Sequence, residues 1–169
     1  MRTAALLLSM VLLLTGGCGY GLANKRANAG AGKTIAVPTF VNDTTSFSVE
    51  QRMSEALRRE LLRRTRYKVT SAGSGDVLVS GEVLQYVANP NTITAGRASS
   101  FIITVVLKVE VKEMPSGRIL FQNASWVFRE NFELAPNSAQ FVPEEPAAVN
   151  RVAAAFASSL VATLLNPTP

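Results

Sequence analysis

Catalysis at neutral pH usually draws on histidine, a reactive cysteine or a pair of carboxylates, and this chain holds little of that inventory. It has no histidine and a single cysteine, Cys18, among 169 residues. A Ser-His-Asp or Cys-His arrangement is therefore excluded. So are an internal disulfide and the common zinc sites, which need several Cys or His ligands. Two carboxylate pairs have the residue types for acid-base work, Glu144 with Glu145 and Glu130 with Glu133, but their surroundings place them at solvated ends and loops. "GAGK", Gly30 to Lys33, is too short for a phosphate-cradling loop and precedes a strand instead of following one. The sequence predicts no catalytic residue, no metal site and no cofactor. Binding is the class of function left.

The lone thiol follows an apolar run. Arg2 and then Ala4 to Leu14 have the charge and length of a secretory signal, and the run is too short for a bilayer span of roughly 20 residues. "TGGCG", Thr15 to Gly19, resembles the lipobox of bacterial lipoproteins, with Thr15 standing where an aliphatic residue is usual and Leu14 one step back. That resemblance implies a signal peptide over residues 1–17, cleavage before Cys18, and acylation of Cys18 with chains such as palmitate. Each buried methylene contributes about 0.8 kcal/mol, so two or more chains hold a domain firmly where one does so reversibly. Gly19, where aspartate would retain such a protein in the inner membrane, points to the outer membrane. A secreted protein with a spare thiol, or an uncleaved interfacial segment, is the other reading of the same residues.

Without the leader, Arg2 is lost and 16 basic side chains face 12 acidic ones, a net charge of +4. That balance suits an anionic partner such as phosphorylated lipid or an acidic protein surface; export argues against nucleic acid.

The elements that must position any binding surface begin after residue 33. Residues 18–33 are small and polar and read as a flexible linker, and one domain is expected over residues 34–166. "TIAVPTF", Thr34 to Phe40, is a short strand that Pro38 ends or confines to an edge, with "VNDTTSF" a loop. Ser48 and Gln51 have capping-box spacing. After them Val49, Met53, Ala56, Leu57 and Leu61 recur at helical period, with arginines on the other faces. Arg66–Ser71 is a short strand and Asp76–Asn89 a long one, with Gly81 a bulge or a point of close approach. "NPNTITAGRAS" has the composition of a loop. Ser100–Glu113 alternates strictly from Val105, with Val105, Leu107, Val109 and Val111 on one face and Val106, Lys108, Glu110 and Lys112 on the other. "MPSGR" makes a tight turn. Arg118–Phe132 returns as the partner strand, its inward set switching near Asn123 as at a bulge. A second helix spans about Pro143 to Leu165, with Val149, Val152, Ala153, Phe156, Leu160 and Leu164 on one side.

This order predicts an α+β domain, a two-layer sandwich. Its sheet is expected to be mostly antiparallel, of about four strands, with two helices packed on one face and the first strand-helix-strand crossover able to pair in parallel. The combination of "CGYGL" (Cys18–Leu22), "KTIAVPTFVNDTT" (Lys33–Thr45), "LRRELLRRTRYKV" (Leu57–Val69), "DVLVSGEVLQY" (Asp76–Tyr86) and the strand pair around "PSGR" with Trp126 resembles the lipopolysaccharide-assembly lipoprotein LptE family. The likeness spans essentially the whole chain after the leader; its strength is the ordered combination, since no single segment is diagnostic.

What the resemblance implies is a non-enzymatic outer-membrane lipoprotein of the lipopolysaccharide translocon. Such proteins plug the lumen of the LptD-type β-barrel, assist its assembly and bind lipopolysaccharide. A lipopolysaccharide binder would set Lys or Arg beside apolar surface to meet the phosphates; Arg97, Lys108, Lys112 and Arg118 are the candidates, able to cluster at one sheet face and its tip. Residues 89–100 and 131–142 have the mixed polar and aromatic character of barrel-facing loops, with Phe132 and Phe141 as candidate barrel contacts. Trp126 belongs in the core. The competing reading is a structural or accessory lipoprotein of a secretion system, since "IAVPTFVNDT" is loosely similar to the start of curli-export lipoproteins, which self-assemble instead of joining a barrel.

Overall fold

Alternation in one strand decides which way the sheet faces. The computed structural model describes residues 30–94, 97–133 and 144–166. In order, these form β1 (Thr34–Ala36), β2 (Val41–Asn42), α1 (Val49–Arg64), β3 (Lys68–Thr70), β4 (Val77–Thr94), β5 (Arg97–Glu113), β6 (Arg118–Glu133) and α2 (Glu144–Leu165). Along β5, Val105, Leu107, Val109 and Val111 are fully buried, and they join one hydrophobic cluster with Met53, Leu57 and Leu61 of α1 and Val152, Phe156 and Leu160 of α2. Both helices therefore cover the same face, as expected. Every buried core residue among those described lies between Ile35 and Val161. α2 is long and apolar enough to cross a membrane, but its apolar stripe is spent on this core.

The sheet itself corrects the expectation of about four mostly antiparallel strands. It has six, ordered β3-β1-β4-β5-β6 with β2 also beside β4, and it is mixed. β4, β5 and β6 form an antiparallel run, while β1 pairs in parallel with both β3 and β4, and β2 in parallel with β4. The cause is Pro38. It has no N–H to give a ladder, so the row breaks after Ala36 and resumes at Val41, giving two short strands where one strand and a loop were expected. The gap is held by side chains: the Phe40 N–H donates to Ser54 Oγ (2.9 Å) and Arg58 Nε donates to the Val37 carbonyl (2.9 Å).

Residues 89–94 and 97–100, expected as loop, are strand. Pairing of β4 with β5 continues through Asn89↔Ile102 and Pro90↔Phe101 to Thr94↔Arg97, with register shifts around Thr92. Pro90 is tolerated next to such an irregularity, and cross-strand hydrogen bonding overrides the turn-rich composition. Elsewhere the local signals hold. Gly81 is a point of close approach, since a Cβ there would sit 2.5 Å from the Phe40 ring. The β6 irregularity is also present: Leu107 pairs with Trp126 but Val109 with Asn123, so Ala124 and Ser125 oppose one residue.

The capping box expected from Ser48 and Gln51 does not form. Ser48 adopts a left-handed backbone, φ 66°, and its side chain makes no cap hydrogen bond. The approach to α1 is organised by Asn42 instead, whose amide donates to the Ser46 carbonyl and to Glu50 Oε2, both at 2.8 Å.

Candidate functional site

The face of the sheet away from the helices carries an alternating row of charge. On β5, Lys108, Glu110 and Lys112 project to that face between the buried valines. Cross-strand register sets Glu82 opposite Lys108, and Lys108 Nζ reaches Glu82 Oε2 at 3.1 Å. Lys112 Nζ lies 2.7 Å from Glu110 Oε1. Four residues of strand put the two lysines about 13 Å apart. Each ammonium has three donors and spends one on a carboxylate, so an incoming phosphate can share or displace that partner. These two pairs are nearly neutral as they stand, with exchangeable cations, and they lie among exposed apolar side chains, Val127 opposite Val106 and Ile119 opposite Lys112.

Arg118 sits elsewhere. It pairs in register with Glu113, and Val77, also opposite Glu113, is buried. The pair therefore lies on the helix side of the sheet end, opposite Lys112. Glu113 accepts from Lys33 Nζ at 3.2 Å and from Arg118 Nε at 3.2 Å, and these hydrogen bonds, Lys33's first, hold its carboxyl below the usual carboxylate value. Arg97 pairs with Thr94 at the far end of the hairpin, about 50 Å along β5 from Lys112. The structure brings Lys108 and Lys112 together on one face and leaves Arg118 and Arg97 apart from them.

Comparison with known proteins gives this surface its context. Residues 32–164 match the family described as LptE, lipopolysaccharide-assembly. The chain belongs to the LptE family. No curated protein sequence matches it. Three solved structures are similar in fold. Lipoprotein B from Nitrosomonas europaea is 10% identical with a TM-score of 0.55, the match covering 85% of this chain and 88% of that one. A hypothetical protein from Chlamydia trachomatis is 12% identical with a TM-score of 0.54, covering 83% of this chain and 100% of that one. The PelC dodecamer from Paraburkholderia phytofirmans is 13% identical with a TM-score of 0.51, covering 85% and 93%. At such identities the likeness is one of fold.

Two further features of this LptE-family chain concern its aromatic residues. Phe132 is only 7% exposed and stacks on Phe101 with ring centroids 5.3 Å apart, so its ring is spent on holding the end of the sheet together. Phe141 and Cys18 lie outside the described residues. Trp126 packs against Phe121, Phe128 and Phe156, as expected of a core residue. The sequence reading missed a groove of about 150 Å³ where the two helices begin, lined by Phe47, Arg52, Tyr86, Glu145, Pro146 and Val149. Its polar wall joins Tyr86 Oη to Glu145 Oε1 at 2.5 Å, and nearby Arg52 donates to Asn150 Oδ1 at 2.8 Å. Only the helical phase of residues 49–57 and 145–153 hinted that these side chains could meet.

Proposed function

We propose that this protein is an outer-membrane lipoprotein subunit of a lipopolysaccharide translocon, anchored by acylated Cys18 with its domain on the periplasmic side. In this reading it seats in the lumen of an LptD-type β-barrel, assists that barrel's assembly and binds lipopolysaccharide on its way to the outer leaflet. It performs no catalysis and needs no cofactor. Family membership over residues 32–164 supports the process. The observation that carries the mechanism is the helix-free face of β4, β5 and β6. Its Lys108–Glu82 and Lys112–Glu110 pairs lie among apolar side chains such as Val106, Val127 and Ile119, so a barrel wall can pack against that part of it with those four charges already compensated. Lys108 and Lys112 on that face, with Arg118 and Arg97 at opposite ends of the sheet, are the cations offered to lipopolysaccharide phosphates. Phe141, in the connection to α2, is the remaining candidate barrel contact.

The test is recovery of a tagged chain from solubilised outer membranes. Co-isolation of one large β-barrel supports the reading. A homo-oligomeric ring without a barrel would favour a self-assembling secretion accessory instead. Charge reversal at Lys112 and Arg118 should weaken lipopolysaccharide binding, and unchanged binding would remove the assigned contacts.

A further inference from the structure

Alternation along β5 decides which backbone groups of β6 are in use. The Met114 N–H donates to the Asp76 carbonyl at 2.9 Å, so β5 turns the backbone groups of its even-numbered residues to β4 and those of its odd-numbered residues to β6. Val83 obeys the same rule: it lies opposite Leu107, and its carbonyl accepts from the Asp43 N–H instead. On β6 the partners of the odd-numbered residues include Phe121, Asn123, Trp126, Phe128, Glu130 and Phe132. Gln122, Val127, Arg129 and Asn131 stand between them and aim their N–H and C=O groups away from the sheet.

That edge is closed at one end and open along the rest. The Asn131 carbonyl accepts from the Arg151 guanidinium at 3.1 Å, and Arg151 also pairs with Glu130. At the irregularity, the Ser125 N–H donates to Asn123 Oδ1 at 2.9 Å. The backbone groups of Gln122, Val127 and Arg129 have no such cover among the described residues, where β6 pairs with β5 alone.

An open edge is a template for another chain, and proteins blunt it with brevity, charge or proline. The opposite edge is blunted, since β3 has three residues and begins with Lys68. β6 has 16 residues, and its stretch from Ile119 to Phe128 contains neither a charge nor a proline. Ile119 and Val127, on the helix-free side, are 50% and 40% exposed.

We infer that β6 receives an added strand from the barrel partner, pairing along Ile119–Arg129 and extending the sheet. The inference rests on the translocon reading for the identity of that partner. Only an extended backbone satisfies a row of alternating N–H and C=O groups, which excludes a helix or a lipid. The wall strands of a closed barrel have no free edge, so the added strand comes from a loop that enters the lumen. β6 borders the face assigned to the barrel, and one partner can cover both. Apolar or β-branched side chains on the added strand suit Ile119 and Val127. A carboxylate suits Arg129, which is exposed and has no ion-pair partner among the described residues. A second copy of this chain fits less well, because Glu133, the carboxylate of β6 on that face, lies beyond the end that Arg151 closes.

The experiment isolates the tagged full-length chain with its barrel from solubilised outer membranes and compares amide exchange in that complex with the chain purified alone. Strand addition should slow exchange at Gln122, Val127 and Arg129 by about tenfold or more, while Phe121 and Phe128, already bonded to β5, should change less. The double variant V127P/R129P removes two outward N–H donors without touching the bonds to β5 and should lower barrel recovery about tenfold. Thermal melts and Trp126 emission check that it is folded. Exchange at the three amides as fast in the complex as in the chain alone overturns the inference, as does full barrel recovery by the folded double variant. So does protection of those amides in the chain alone together with a dimeric mass, which would assign the edge to a second copy. In each of these cases a barrel that still co-isolates with the wild-type chain leaves the translocon reading standing. Absence of any barrel overturns that reading, and with it the partner named here.

Discussion

Tyr86 on β4 donates its hydroxyl to the Glu145 carboxylate at 2.5 Å, joining the sheet to the first turn of α2 across 59 residues of sequence. Burial, then this hydrogen bond, pushes the phenol well above its ordinary value. A phenol whose folded pKa exceeds its unfolded one gives stability that is complete below the unfolded value, near 10, and is lost as pH climbs from there towards the folded value. Denaturant titrations should thus show stability constant to about pH 9 and falling above it. Tyr86→Phe should cost about 1 kcal/mol at neutral pH and make the alkaline fall shallower. Tyr67, also raised chiefly by burial, keeps the fall from vanishing. An unchanged alkaline slope would place Tyr86 in solvent.

Gly81 and Phe40 make the sheet's tightest approach outside the turns. The ring covers the glycine and then meets Phe156 edge-on, centroids 5.9 Å apart. A methyl at residue 81 has no room unless the ring moves, and the ring is wedged against α2. Gly81→Ala should destabilise by about 1–3 kcal/mol as overpacking, read as a lower melting temperature with the same far-ultraviolet spectrum. An unaltered melt would mean that Phe40 can rotate away freely.

How much of this was legible depended on how local each cause was. The buried valines of β5, the inward stripe of α2, the β6 irregularity near Asn123 and the close approach at Gly81 follow from period, shape and missing side chains within a few residues. Each was readable for that reason. The length of the β4–β5 hairpin was not, because Asn89 to Thr94 has turn composition and is held extended by a partner strand. The row formed by β1 and β2 was hidden by Pro38, which looked like an end and is an interruption. The candidate cations show the same limit. Lys108 meets Glu82 only through register, and Arg118 lands opposite Lys112 because β6 carries a second irregularity, at Leu120. The cap at Ser48 failed because Asn42, from outside the helix, took over that corner.

Ser54 is the one buried polar side chain among the fully described residues, and it repairs what Pro38 interrupts. Its hydroxyl accepts from the Phe40 N–H and donates to the Glu50 carbonyl at 2.6 Å. Ser54→Ala leaves a buried amide without a partner and should cost about 1–3 kcal/mol. Hydrogen exchange at Phe40 should speed up by more than it does at the β5 valines. Ser54→Cys retains a weak donor of similar size and should fall between the two. Protection at Phe40 that survived Ser54→Ala would show that water replaces the hydroxyl.

Phe156 of α2 is the hub of the aromatic cluster. Its ring lies edge-on to Phe40, Trp126 and Phe128 at centroid distances of 5.9, 6.0 and 5.8 Å, and it is fully buried. Removing it takes away the transfer energy of the ring and leaves a cavity bounded by two other rings and an indole, none of which can collapse far without breaking its own strand pairing. Phe156→Ala should therefore cost about 3–5 kcal/mol. Phe156→Leu, which fills most of the space, should cost less. The chain has a single tryptophan, so emission reports on this cluster alone: the alanine variant should shift Trp126 emission to longer wavelength while still folded, and the leucine variant should shift it little. If the alanine variant kept both wild-type stability and wild-type emission, α2 would not be packed on β6 through Phe156, and the two-layer arrangement that leaves the other sheet face open would be wrong.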